Sequence, residues 1–120
     1  TSISISTTFS RPPSLCVVSP NGQERCGGEY IQAIGEVANG QPVWRQKGGR
    51  CWLYSGSNGA WILGGSEAKE KNFNCARGVI YSKEPHGGSM PDKVGCVWLR
   101  LGGSKFHEDS AIRVSVKPSP

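Results

Sequence analysis

Apolar positions in this chain recur in short runs, often with a period of two, and glycine-bearing turns separate them. In 112–116, Ile112, Val114 and Val116 alternate with Arg113 and Ser115, which predicts a strand with one buried face and one wet face. Comparable strand candidates are 15–19, 29–34, 42–46, 51–55, 60–63, 78–82 and 97–101, and Gly102-Gly103 joins the last of these to 105–107 as a hairpin. Three turns, Asn39-Gly40, Gly48-Gly49 and Asn58-Gly59, punctuate the region from Asn39 to Gly65. Asn-Gly suits a two-residue hairpin because both central residues need positive φ, which Gly adopts freely and Asn tolerates. Hairpins in series make a meander.

The only helix-like stretch, 66–73, is polar and short, and it predicts a single turn or a loop. Short antiparallel strands with tight turns leave no helices to cover the sheet, so the sheet folds onto itself. The expected architecture is all-β: a single small antiparallel β-sandwich or partly open β-barrel, built from a meander of about eight short strands. Residues 1–14 read as an N-terminal arm or linker closed by Pro12-Pro13, 15–116 as the β-domain and 117–120 as a tail. Seventeen Gly and eight Pro in 120 residues fit a turn-rich domain.

No run approaches the roughly 18 apolar residues of a membrane-crossing helix. The N-terminal stretch alternates Ile with Ser and lacks the apolar block of a signal peptide. Secreted, cell-surface, organellar and cytoplasmic locations all stay open. The net charge is +5, and the densest basic cluster is Arg45, Lys47 and Arg50 on one hairpin. That cluster is the candidate for binding a polyanion, nucleic acid included; the competing reading is a solvated basic face. Five cysteines are an odd number, and Cys16 and Cys26 flank the Asn21-Gly22 turn, which makes them the expected local disulfide. Zinc-type spacing is absent.

Candidate catalytic residues are few. His86, with Asp92 or Glu84 to orient it, has the chemistry of a base, and Ser89 or Cys75 that of a nucleophile, yet no nucleophile elbow surrounds Ser89. His107, Glu108 and Asp109, with His86, offer metal-ligand types without an EF-hand spacing; a strand-to-strand turn explains them more simply. Gly64-Gly65 and Gly87-Gly88 lack the Lys-Ser/Thr helix of a phosphate loop, so no cofactor is expected. The aromatics carry the strongest binding candidates. Trp44, Tyr54, Trp61 and Tyr81 would form a stacking platform for sugars wherever they face solvent, with Arg45, Asn58 or Glu67 fixing orientation. The alternative is that the tryptophans, Trp98 and Trp52 among them, fill the core.

The succession NG-x-PVW, WLYS-x-x-NG-x-W-I-x-GG, NF-x-C-x-x-G-x-IYS, HGG-x-MPD and W-x-x-x-x-GG-x-x-F-x-ED-x-AI-x-V, running from about Cys26 to Val116, resembles a Trp/Gly-rich β-module common in dinoflagellates, with more divergent relatives in other algae. The resemblance implies an accessory unit, found singly, in repeats or beside other domains, and a dinoflagellate or algal source. It brings no catalytic residues. The function expected is therefore a non-catalytic protein-interaction or scaffold module. A carbohydrate-binding, lectin-like module is the alternative, with polyanion binding and a His86 hydrolase behind it. The partner expected first is another protein, by strand addition through the arm.

Overall fold

The structure is a computed structural model that describes residues 14–75 and 78–116. The arm, apart from Ser14, and the tail lie outside the described residues. Nine strands form, one more than about eight: β1 (Ser14–Val18), β2 (Gly28–Ala38), β3 (Gln41–Gln46), β4 (Trp52–Ser55), β5 (Trp61–Gly64), β6 (Ile80–Ser82), β7 (Trp98–Gly102), β8 (Lys105–Asp109) and β9 (Arg113–Val116). One short helix, α1 (Ser66–Glu70), follows β5, and single 3₁₀ turns occur at Glu24–Cys26 and Pro91–Lys93. No helix among the described residues is long and apolar enough to cross a membrane.

All nine strands lie in one antiparallel sheet, in the order β8-β7-β6-β5-β4-β3-β2-β1-β9. The meander is complete from β1 to β8, and then β9 lands beside β1. Asp109, which ends β8, and Arg113, which begins β9, are thus at opposite edges of the sheet and are joined only by residues 110–112. Four residue steps reach about 14 Å. A flat nine-stranded sheet would be roughly 38 Å wide. The sheet must therefore curl until its edges approach, which resolves the expected sandwich-or-barrel alternative in favour of a partly open barrel.

Alternation along the strands sorts side chains into two cores. Leu15, Val17, Tyr30, Trp44, Leu53, Trp61, Leu63, Ile80 and Trp98 pack together on the concave face, and Ile112 joins them. The Trp44 and Trp61 rings meet edge-on at 5.7 Å. On the convex face Ala38, Val43, Tyr54 and Ile62 form a second core, covered by Ala68 of α1 and by Phe73. Both faces of β5 are therefore buried, although the strand has only four residues.

The edge of that second core depends on an irregularity in β2. The register runs Tyr30↔Gln46, Ile31↔Arg45 and Gln32↔Trp44, then resumes at Val37↔Pro42, so residues 33–36 oppose only Val43. Gly35 lies in this bulge at φ +92°, where an L side chain is disfavoured. Glu36, in the same bulge, pairs with Lys69 of α1, whose ammonium also lies over the Trp52 ring. The turn after β2 is the one expected: Asn39 and Gly40 both have positive φ. Asn39 Nδ2 also donates to the carbonyls of Ser55 at 2.7 Å and Phe73 at 3.2 Å, tying the hairpin to β4 and to the segment after α1.

Candidate functional site

Several segments end together at one mouth of the barrel. They are the 3₁₀ turn with Arg25 and Cys26, the β3–β4 turn with Arg50 and Cys51, residues 65–68 after β5, Gly78 and Val79 before β6, and Leu101 and Phe106 beside the β7–β8 turn. Together with Gln46 and Tyr81 they line a groove of about 740 Å³. Arg25 and Arg50 are exposed at its rim and have no carboxylate partner among the described residues. Glu67 is the one carboxylate among the described residues that line the groove. Phe106 is 41% exposed and meets the Tyr81 ring edge-on at 4.9 Å.

At this mouth Cys26 and Cys51 lie with their sulfurs 3.2 Å apart and unbonded. The expected Cys16–Cys26 bond is not formed in this structure. Cys16 sits in β1 opposite Glu29 and Ser115, and the chain carries Cys26 away from it to the β3–β4 turn. Gln46 does the positioning. Its Nε2 donates to the carbonyls of Arg25 at 2.6 Å and Gly27 at 2.8 Å, while its Oε1 accepts the Cys51 N–H at 3.3 Å. A Cβ on Gly49 would meet Gln46 Oε1 at 2.0 Å, so glycine at that position leaves the amide its place. The Tyr30 hydroxyl donates to the Cys26 carbonyl at 2.6 Å.

The hydrogen bond between the two thiols drives their acidities apart. The hydrogen bond from Cys26 pulls Cys51 down to about 7 against the effect of burial, with the Tyr30 hydroxyl and the Arg25 charge also lowering it. Cys26 is pushed up, by its hydrogen bond to Cys51 and by burial. Burial likewise raises Tyr30, which stays a phenol.

Of the expected platform, Trp44, Tyr54 and Trp61 are fully buried. They are core because the alternation that exposes Arg45 turns Trp44 inward, and because the second core takes Tyr54 from the convex face. Tyr81 and Asn58 do come together, in a shallow convex-face hollow of about 330 Å³ with Lys83, Pro85 and Phe106. The basic hairpin is divided. Arg45 lies over the Trp52 ring at 5.5 Å and Lys47 faces Glu29 at 3.8 Å, both along one hollow, whereas Arg50 belongs to the groove.

His86 stacks on Trp61, with ring centroids 4.6 Å apart. Its partner is Ser55, not Ser89: Ser55 Oγ is 2.7 Å from Nε2. The Gly88 N–H donates to Nδ1 at 2.8 Å, so that nitrogen holds a lone pair and the neutral ring carries its proton on Nε2. In this tautomer the ring donates to Ser55 and has no lone pair to accept the serine proton. Burial lowers the His86 pKa, which keeps the ring neutral. Glu108 pairs with Lys83, and Asp109 with Arg100, so the two carboxylates among the candidate metal ligands are each taken by a cation.

Comparison with family models, curated proteins and solved structures gives no match for this chain.

Proposed function

We propose that this domain is a non-catalytic binding module that receives an acidic segment of a partner protein in the groove at the barrel mouth. The observation that carries this reading is the pairing of two arginines, Arg25 and Arg50, that have no carboxylate partner among the described residues, with the half-exposed wall of Tyr81 and Phe106. Arginine and aromatic residues are the types that anchor protein interfaces. A groove of this size takes a few side chains of an extended segment. The engaged lone pair of His86 supports the absence of a Ser-His nucleophile.

Titration of the labelled domain with an acidic, leucine-containing peptide at low and high salt tests this. Saturable binding is expected, weakened by salt and lost in Arg25→Gln/Arg50→Gln and in Phe106→Ala. Binding that ignores these substitutions, or no binding, overturns the reading.

A second reading, binding of a neutral glycan, is favoured by the hollow that joins Asn58 to the Tyr81–Phe106 pair. Glycan binding would survive high salt and the arginine substitutions while depending on Asn58 and Tyr81.

A further inference from the structure

Two sulfurs 3.2 Å apart at the edge of an open groove are closer than packing alone requires. A disulfide needs a bond of about 2.05 Å, so closing it takes roughly 1 Å of approach, within reach of small side-chain rotations. The two cysteines come from different segments, and Gln46 clamps both backbones with three hydrogen bonds. Cys51 is the more accessible, at 7% exposure against 1% for Cys26.

We propose that Cys26 and Cys51 form a redox-active dithiol that undergoes thiol–disulfide exchange with low-molecular-weight disulfides of the glutathione type, Cys51 attacking first and Cys26 resolving. This goes beyond the binding reading and does not depend on it. In the first step the Cys51 thiolate attacks one sulfur of the small disulfide, forming a mixed disulfide and releasing one thiolate, which takes up a proton. In the second, Cys26 loses its proton and attacks Cys51 Sγ, expelling the second small thiol. Two electrons and two protons pass from the protein to the small disulfide, which leaves as two thiols.

The surroundings support this order. Arg25 and Arg50 make the rim positive, which suits a thiolate and an anionic tripeptide disulfide; Glu67 is the opposing charge, and Tyr30 is a neutral phenol whose hydroxyl donates to the Cys26 carbonyl. With its pKa near 7, Cys51 holds roughly tenfold more thiolate at neutral pH than an ordinary thiol. Among the described residues Cys16, Cys75 and Cys96 form no thiol–thiol pair, and Cys75 instead meets the Tyr54 hydroxyl at 3.6 Å.

The test uses the full chain, reduced, desalted and then equilibrated in glutathione buffers of graded redox ratio. Tryptic mapping separates the sites, because cleavage after Arg25 and Arg50 starts one peptide at Cys26 and another at Cys51. The expected result is a Cys26–Cys51 crosslinked peptide that appears and disappears reversibly across the series. In the reduced protein Cys51 should be alkylated well over ~10-fold faster than Cys26 at neutral pH, because Cys51 is lowered and Cys26 is raised. Cys26→Ser should accumulate a stable mixed disulfide at Cys51, and Cys51→Ser should form neither product.

Glutathione mixed disulfides at Cys16, Cys75 or Cys96 with Cys26 and Cys51 untouched would overturn the proposal. So would a crosslink that persists at every ratio, which would mark a structural bridge. The wild-type map decides between these outcomes even where a serine variant fails to fold.

Discussion

Arg100 donates from Nε to Asp109 Oδ2 at 2.9 Å, and the carboxylate that receives it is 4% exposed. Asp109 lies opposite Trp98 at the end of β8, just before the link that crosses to the other edge of the sheet. Its second oxygen accepts from Asn21 Nδ2 at 3.0 Å, in the β1–β2 connection, and from the Ala111 N–H at 3.0 Å. Nearby, Gln23 Nε2 donates to the Leu101 carbonyl at 3.0 Å. A Cβ on Gly22 would meet Arg100 Nη1 at 2.7 Å, so the connection lies close over the guanidinium. One buried carboxylate thus fastens the seam where the two edges approach.

Asp109→Ala should therefore cost about 2–3 kcal/mol, because it leaves the Arg100 guanidinium and two N–H donors without their acceptor. Asn21→Ala, which removes one of those bonds, should cost about 1 kcal/mol. Burial alone would raise the Asp109 pKa, but the bonds from Arg100, Ala111 and Asn21 outweigh it and depress the pKa below 3.8. A depressed carboxylate contributes stability that is complete above its unfolded value and lost as pH falls through its folded one. Urea denaturation over the acid range should show that loss in the wild type and a flatter acid limb in Asp109→Asn.

His86 has the same sign by a different route. Burial lowers its pKa from 6.5, and protonation would set an N–H at Nδ1 against the Gly88 N–H. The unfolded chain binds this proton more readily, so the stability contribution is complete above 6.5 and falls as pH drops through the folded value. Long-range ¹H–¹⁵N spectra recorded from about pH 8 to pH 5 should show a neutral Nε2–H tautomer and a midpoint below the ordinary histidine value.

Trp61→Ala and Phe106→Ala should part company. Trp61 is fully buried, stacked on His86, and donates from Nε1 to the Ser89 carbonyl at 2.6 Å. Its truncation should cost about 3–5 kcal/mol and abolish ligand binding only by unfolding the domain. Phe106→Ala should cost about 1 kcal/mol, the scale of its edge contact with Tyr81, and weaken groove binding in a folded protein. Thermal melts beside binding titrations separate the two.

Asn39 combines a backbone requirement with two side-chain bonds, and two substitutions divide them. Asn39→Gly keeps the φ of +51° accessible but loses the bonds to Ser55 and Phe73. Asn39→Ala loses both, and should be less stable than the glycine variant by about 1 kcal/mol. Equal stabilities would mean that the αL conformation at Asn39 carries no strain for alanine.

The strands were legible because their turns are local chemistry. Asn39-Gly40 names its own turn, and the alternation at 112–116 marks β9, although Ile112 precedes the strand and Val116 is exposed where a buried position is expected. The second half of β2 was not legible: Gly35 and Glu36 break the apolar pattern, and only the second core and Lys69 explain why the chain stays extended there. Nor does composition reveal which tryptophans face inward: Trp44, Trp61 and Trp98 take the concave face, while Trp52 lies partly covered against Phe73 on the convex one. The thiol pair was missed for a similar reason. Cys26 lies in the 3₁₀ turn Glu24–Cys26 and Cys51 follows the β3–β4 turn, both beyond the β2–β3 ladder, and the Gln46 side chain that joins them carries no signal in the sequence.

The pairing of β1 with β9 has a mechanical consequence. Because Leu15 faces Val116 in an antiparallel pair, both ends of the described domain leave from the same place. Tension applied through them would pull across the strands and not along them, loading the hydrogen bonds between β1 and β9 one after another. The barrel would then peel open like a zip at low force, although the same bonds, strained together in shear, would resist.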